Sequence, residues 1–314
     1  MRAAVTGGAG FIGHHLVHGL IARGHDVRII DDFSTGRSSR LESSPPGATI
    51  VGSILDPLAL DEALPGCDVV FHLAAIASVA RSVAEPLLTN VVNVEGTIGV
   101  MLAAARHGVR RVVFASSSAV YGVPDQLPCH EDQRPDPRSP YGVSKLAAEH
   151  YVHTLGELHG IETAALRYFN VYGPGQDPGS EYAAVVPRFI TAMLDGRRPT
   201  INGSAEITRD FVYVDDVVEA NILASRGSTA SRITCNIASG NATTLLDLLR
   251  AVGTAAGRTP DPTLGEPRPG DISASYADVA RARQALGFSP RVPLEQGVAR
   301  TMEWFAMAHP PPSV

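Results

Sequence analysis

The stretch Thr6-Gly7-Gly8-Ala9-Gly10-Phe11-Ile12-Gly13 limits the possible folds more than any other. Residues 2–6 before it read as a short buried strand. The amphipathic run behind it, reaching Arg23 and stopping at Gly24, reads as a helix. Glycines at 7, 10 and 13 on such a strand-to-helix turn permit a tight bend, close backbone approach and a helix N-terminus facing a ligand. A dinucleotide pyrophosphate needs all three. Gly7, Gly10, Phe11, Ile12 and Gly13 are therefore candidate cofactor contacts. The spacing is G-x-x-G-x-x-G, and its place between a strand and a helix at the N-terminus gives it its weight.

The next elements continue the pattern. A second strand, Asp26–Ile30, ends in Asp31-Asp32. An acid there can accept bonds from the adenine ribose, and a second acid beside it repels a 2′-phosphate, so NAD is favoured over NADP. Phe33, Ser34, Thr35 and Gly36 are expected to wrap the adenosine. Ser53 and Ile54, after a third strand at 48–52, are expected beside the adenine. A fourth strand, Val69–Leu73, runs into Ala74 and Ala75, small enough with Leu73 for a cofactor to lie across. Asn90–Arg106 reads as a long helix, apolar around much of its girth; its Asn93 either bonds the cofactor or caps locally. Strands at Arg111–Ala115 and Thr163–Arg167 follow, with a Pro-, Asp- and Gln-rich loop at 123–138. This alternation predicts an α/β chain with a Rossmann-type doubly wound parallel sheet over 1–172. Pro-rich turns and helices near 216–225, 244–256, 278–286 and 294–308 predict a smaller C-terminal α/β substrate-binding lobe over 173–314, with parts of 206–240 returning to the first domain.

Ser139-Pro140 is a good helix entry, an N-cap hydroxyl followed by proline at the first helical position. Tyr141 and Lys145, four apart, then share one face. Lys145 is the only lysine among the 26 Lys+Arg, as if the site requires a compact amine that arginine does not replace. A free tyrosine is a poor base at neutral pH, with a pKa near ~10. A neighbouring ammonium and an oxidised nicotinamide both favour its phenolate. With Ser117, from Ser116-Ser117-Ser118 after the fifth strand, these residues can move a proton from a sugar hydroxyl as hydride leaves the same carbon.

A net charge of −6 gives no reason to expect a nucleic-acid or membrane-surface partner. Three scattered cysteines suit a reducing cytoplasm, with no disulfide framework and no metal spacing. No signal segment precedes the first strand, and no apolar run reaches the length of a membrane span. His14, His15 and His18 read as packing at a solvent edge, so no metal is expected.

The chain closely resembles, over essentially its whole length, the extended short-chain dehydrogenase/reductase family, and within it the NAD-dependent nucleotide-sugar 4-epimerases. The motifs that carry the resemblance are Thr6–Gly13, His72-Leu73-Ala74-Ala75, Ser116-Ser117-Ser118, Tyr141-x-x-x-Lys145, Arg167–Gly173, Arg209–Asp216 and Arg268-Pro269-Gly270-Asp271. The resemblance implies Ser117, Tyr141 and Lys145 as catalytic residues, with Ser116, Tyr141, Lys145 and Tyr168 near the cofactor. It implies Asn170 at the sugar diphosphate, Arg209 and Arg268 on the pyrophosphate, Asp271 on the uridine ribose, and Val186, Arg188, Ile201 and Asn202 in the nucleotide pocket. A homodimer through the helices near 90–106 and 141–158 is also implied.

Dehydratases and decarboxylases of the family carry an acid in the serine/threonine motif; Ser116-Ser117-Ser118-Ala119 has none. Oxidation at C4 of a UDP-hexose then leads only to return of the hydride, giving the C4 epimer. UDP-glucose/UDP-galactose, UDP-glucuronate/UDP-galacturonate and a UDP-N-acetylhexosamine are the candidate sugars. Ser116, Ser117, Ser118, Arg81 and Arg188 incline the reading slightly towards the glucuronate pair. Gly175 and Ser53 depart from the arginine and aspartate common in relatives. A dehydratase or reductase, or a non-catalytic NAD-sensing protein, are the other classes.

Overall fold

The structure, a computed structural model, describes residues 1–177, 184–226, 231–266 and 272–308. Seven strands form one parallel sheet: β1 (Arg2–Thr6), β2 (Asp26–Asp31), β3 (Thr49–Val51), β4 (Val69–His72), β5 (Arg111–Ser117), β6 (Glu162–Tyr168) and β7 (Arg232–Ile237), in the order β7-β6-β5-β4-β1-β2-β3. β7 comes from the 206–240 stretch and pairs in parallel with β6.

Successive side chains on a strand point to opposite faces, so the apolar residues in the middle of these strands feed two cores. Ala3, Val5, Ile29, Phe71 and Val113 pack against the helices Phe11–Ala22 and Val214–Ser225. Ala4, Ile30, Val70, Val112 and Phe114 pack on the other face with Leu60, Val100, Met101, Ala148 and Val152. A third core, with Phe189, Ile190, Leu248, Leu249, Val298 and Phe305, joins the C-terminal helices Val185–Leu194, Leu245–Ala255 and Leu294–Ala308. The first of these three helices was not anticipated from the sequence.

The sheet reverses its order between β1 and β4, and parallel α/β sheets open a ligand crevice where the order reverses. The register sets Thr6 beside His72 and Ile30, and Ser117 beside Tyr168, along that one edge.

The expectation of no membrane-length segment needs correction. The helix Pro86–Arg106 has 21 residues and contains an 18-residue window of mean hydropathy 1.4, enough to cross a membrane by length and composition. Half of it is buried inside the fold, where Val100, Met101, Ala103 and Ala104 face the sheet core. Burial on the sheet accounts for its apolar character.

Candidate active site

β1 delivers the chain into the glycine turn. Gly7 has φ +71, and a Cβ there would lie 2.7 Å from the Ala74 amide nitrogen. A Cβ on Gly13 would lie 2.0 Å from the Gly7 carbonyl oxygen. These two positions require glycine because β4 and the first helix press on the turn. Gly10 caps the Phe11–Ala22 helix without a side-chain bond, and no acid sits in its first turn. The N–H groups of Phe11, Ile12 and Gly13 belong to that turn, where an anion is favoured.

Asp31, at the end of β2, is buried, and each oxygen accepts a backbone N–H at 2.8 Å, from Ala9 and from Phe33. Burial raises its pKa and these bonds oppose the rise. Asp31 thus joins the glycine turn to the Phe33–Gly36 loop, and each oxygen keeps a lone pair for a ribose hydroxyl. Asp32 is exposed and accepts the Ser34 N–H. Phe33 takes a left-handed φ of 55, while Ser34 and Thr35 are exposed. A Cβ on Gly36 would lie 2.7 Å from Asp31 Oδ1.

Leu73, Ala74 and Ala75 are partly open above β4, and Leu73 N–H bonds the Thr6 carbonyl at 3.1 Å. The open glycine turn, the seated Asp31 and these small residues make a continuous cradle that suits a dinucleotide.

The helix Pro140–His159 carries Tyr141 and Lys145. Ser139 Oγ accepts the Gly142 N–H at 3.1 Å, as its N-cap position predicts, and Ser82 Oγ accepts the Tyr141 N–H at 3.0 Å. Lys145 is buried, donates to the Ala115 carbonyl at 2.9 Å and lies 5.0 Å from the Phe114 ring centre. Burial pulls its pKa down to about 7. Burial pushes the Tyr141 phenol up, opposed by its hydrogen bond to the Ser117 side chain. Of the two effects on Tyr141, burial is the larger. Ser117 Oγ also accepts the Ala119 N–H at 3.1 Å.

Several anticipated contacts are used up elsewhere. Ser116 donates to Glu149 at 2.7 Å, on the sheet face away from Ser117. Asn93 spends its amide on Ile76 and Ser144 and is 2% exposed, so it positions these segments instead of touching a cofactor. Ile54 packs its side chain into the core beneath Gly96. Ser53 Oγ accepts the Leu55 N–H. The Tyr168 hydroxyl bonds Asn221 inside the first core. Arg81 is ion-paired with Glu85 at 2.8 Å, one helical turn away.

On the nucleotide side, Asn170 Nδ2 donates to the Asp210 carbonyl at 3.2 Å, and Arg209 donates to the Thr208 carbonyl at 2.8 Å. Val186 and Ile201 are buried in the third core, with Asn202 and Arg188 partly exposed. Arg268 and Asp271 lie outside the described residues. Gly175 has φ +80, and a Cβ there would lie 2.9 Å from the His14 ring. Glycine is what that seat admits; the missing arginine is a backbone matter. His14 bonds the Gly10 carbonyl and His15 the Pro174 carbonyl.

Sequence reasoning missed the group behind the site. Glu149 accepts from Arg167 at 2.6 Å, both side chains 5% exposed, and Arg167 donates to the Tyr121 hydroxyl at 3.0 Å. Glu149 lies four residues past Lys145, a spacing that signals a shared helix face.

Residues 3–238 match the NAD dependent epimerase/dehydratase family. The chain belongs to that family. NAD is accordingly its cofactor, in keeping with the cradle above. Among the relatives of this epimerase/dehydratase chain is the UDP-glucose 4-epimerase of Mycolicibacterium smegmatis, 42% identical over 97% of this chain and 98% of its own. The UDP-glucose 4-epimerase of Thermotoga maritima, solved with UDP-glucose, superposes with a TM-score of 0.93 at 38% identity, covering 98% of this chain and 99% of that one. The UDP-glucuronic acid 4-epimerase of Bacillus cereus, solved with UDP-glucuronic acid and NAD, gives 0.90 at 30% identity, covering 98% and 100%.

Proposed function

We propose that the protein is an NAD-dependent UDP-sugar 4-epimerase, with Ser117, Tyr141 and Lys145 as its catalytic residues. The observation that carries the choice of reaction is the absence of a free carboxylate at the end of β5. Ser116–Ala119 contains no acid, and Glu149, which does reach β5, is locked to Arg167. Tyr141 Oη takes the proton of the C4 hydroxyl, Ser117 Oγ bonds the same oxygen, and the Lys145 ammonium stabilises the phenolate. Bound NAD supplies the acceptor for the C4 hydride and gives the hydride back. Without a carboxylate in Ser116–Ala119 to take the C5 proton, the 4-keto sugar is left to receive the hydride again and not to eliminate water. It turns in the pocket and receives the hydride on its other face.

Similarity to the M. smegmatis and T. maritima enzymes supports UDP-glucose/UDP-galactose as the sugar pair. The glucuronate reading loses two supports, since Arg81 is held by Glu85 and Ser116 by Glu149. It keeps Ser117, Ser118, the partly exposed Arg188 and the likeness to the B. cereus enzyme. Arg209, Arg268 and Asp271 remain the proposed contacts of the UDP moiety.

The enzyme is read as a cytoplasmic homodimer. The helices Pro86–Arg106 and Pro140–His159 leave Leu87 and Leu158 83% and 72% exposed, with Leu88, Leu102, Val143 and Tyr151 also at the surface. Faces like these are covered in a paired four-helix interface. Sedimentation of wild type at twice the monomer mass, with Leu87→Glu and Leu158→Glu shifting it towards monomer, supports this; a wild-type monomer contradicts it.

The reaction is tested with Tyr141→Phe. Turnover falls by roughly 100-fold or more, as expected for loss of a general base, while bound NAD is retained. A variant that still interconverts C4 epimers would overturn the assignment.

A further inference from the structure

Between the glycine turn and the catalytic helix runs a file of buried side chains that the chemistry above does not use. It consists of Thr6, His72, Thr97, Asn93 and Ser144, none more than 2% exposed. Its hydrogens can be assigned. Thr97 Oγ1 lies 2.6 Å from the Asn93 carbonyl, which only accepts, so the Thr97 proton is used there. In the 2.9 Å contact between Thr97 Oγ1 and His72 Nε2 the ring must then donate. A neutral imidazole has one N–H, so Nδ1 is bare. At 2.7 Å it accepts the hydroxyl proton of Thr6. Thr6 Oγ1 in turn accepts the Ala74 N–H at 3.2 Å. A second ring proton would leave the Thr6 hydroxyl without an acceptor in the file. Burial, helped by the Lys145 charge, holds the ring neutral, its pKa pulled down to about 3.

The far end of the file reaches the catalytic helix. Asn93 sits in a π-helical turn, Val91–Glu95, within the Pro86–Arg106 helix. Its amide holds Ile76 through both backbone groups, at 2.8 and 3.1 Å, and donates to Ser144 Oγ at 2.9 Å. Ser144 passes its own proton to the Tyr141 carbonyl at 2.8 Å.

We infer that His72, fixed as its Nε2–H tautomer, is a positioning residue. It ties the end of β1 and the Ala74–Ile76 segment to the turn of helix that carries Tyr141, by way of Thr97, Asn93 and Ser144. The cofactor cradle and the base are thereby held in one register. Its effect on turnover rests on the epimerase reading; the hydrogen assignment does not.

The test uses the NAD-loaded protein labelled with 15N-histidine. His72 should show one hydrogen on Nε2 and none on Nδ1, unchanged across neutral pH. Thr97→Val, nearly isosteric, removes the acceptor of the ring. It should mix the His72 tautomers and lower kcat about 10- to 100-fold through misplacement of the reacting groups, with KM changed less than about twofold. Thr97→Ser should restore both. Should Thr97→Val not fold, Thr6→Val removes the donor to Nδ1 and should lower kcat in the same way, while the Nε2–H tautomer, still held by Thr97, persists. A wild-type Nδ1–H signal, or wild-type kcat in both valine variants, would overturn the inference. If the wild type turns over no UDP-hexose, the epimerase reading fails by itself, and the tautomer measurements still decide the positioning claim.

Discussion

Lys145 is an ammonium in a place that disfavours its charge. The unfolded chain holds its proton up to the ordinary value of 10.5, whereas the folded, cofactor-free chain releases it at about 7. Between those values the unfolded state binds more protons, so stability from this residue rises with pH across the window; below about 7 the buried charge is a standing penalty. Lys145→Met should therefore abolish turnover yet stabilise the cofactor-free protein at neutral pH by about 2–4 kcal/mol. Urea unfolding at neutral and at high pH checks this, since the gap between variant and wild type should shrink as pH rises. A gap independent of pH would contradict the assigned environment. The same residue was legible in the sequence, because the chain uses arginine everywhere else and places its single lysine four residues from Tyr141 on a capped helix. Its low pKa was not legible: it comes from packing against Phe114 and β5, which one-dimensional spacing does not contain.

The helix Pro140–His159 shows what an element adds to its residues. It presents Tyr141 and Lys145 towards the crevice and Glu149 towards Arg167, so one rod carries both the chemistry and its anchor. Glu149 is held below the usual carboxylate range by Arg167 and Ser116 against the opposing effect of burial, and the Arg167 guanidinium is raised by its bonds to Glu149. Glu149→Gln leaves the guanidinium buried without its counter-charge, so stability should fall by about 3–5 kcal/mol. Arg167→Met in the same chain should recover much of the loss. Denaturant midpoints at unchanged slope measure both; a single-variant loss under about 1 kcal/mol would mean that the pair is effectively solvated. Strands β1 to β6 and the helix ends after 200 were readable because apolar runs and turn residues mark them. The Val185–Leu194 helix, which carries Pro187 in its first turn, was not. The side-chain partners of Ser116, Ile54 and Asn93 were not legible in the sequence. Those partners, Glu149, the core beneath Gly96, and Ile76 with Ser144, are set by register and tertiary packing.

At the scale of the molecule, burial leaves several histidines neutral. His14 and His72 are pulled down to about 3 and His153 to about 4, in each case chiefly by burial. The unfolded chain takes up these protons near 6.5 and the folded chain does not, so stability falls as pH drops from about 6.5 towards 4. At pH 5 the loss is about 2 kcal/mol per histidine. The raised pKa values of Asp31, Glu131, Asp210 and Asp216 act in the opposite sense, within the carboxylate range. Urea midpoints should decline through this window; a flat profile would mean that the histidines are hydrated. The overall architecture was legible because alternation of strand and helix leaves few topologies. A return of part of 206–240 to the first domain is expected from the sequence, but which residues pair, and at which edge, needs the three-dimensional pairing.

The most direct test of the whole account is to incubate the purified protein, with its bound NAD and no added reductant, with UDP-glucose, UDP-glucuronate and a UDP-N-acetylhexosamine separately, and to resolve the nucleotide sugars. The account expects at least one to be converted to its C4 epimer with no net NADH and no loss of water or carbon dioxide, UDP-glucose foremost. Conversion of none of them by protein shown to hold NAD would contradict it.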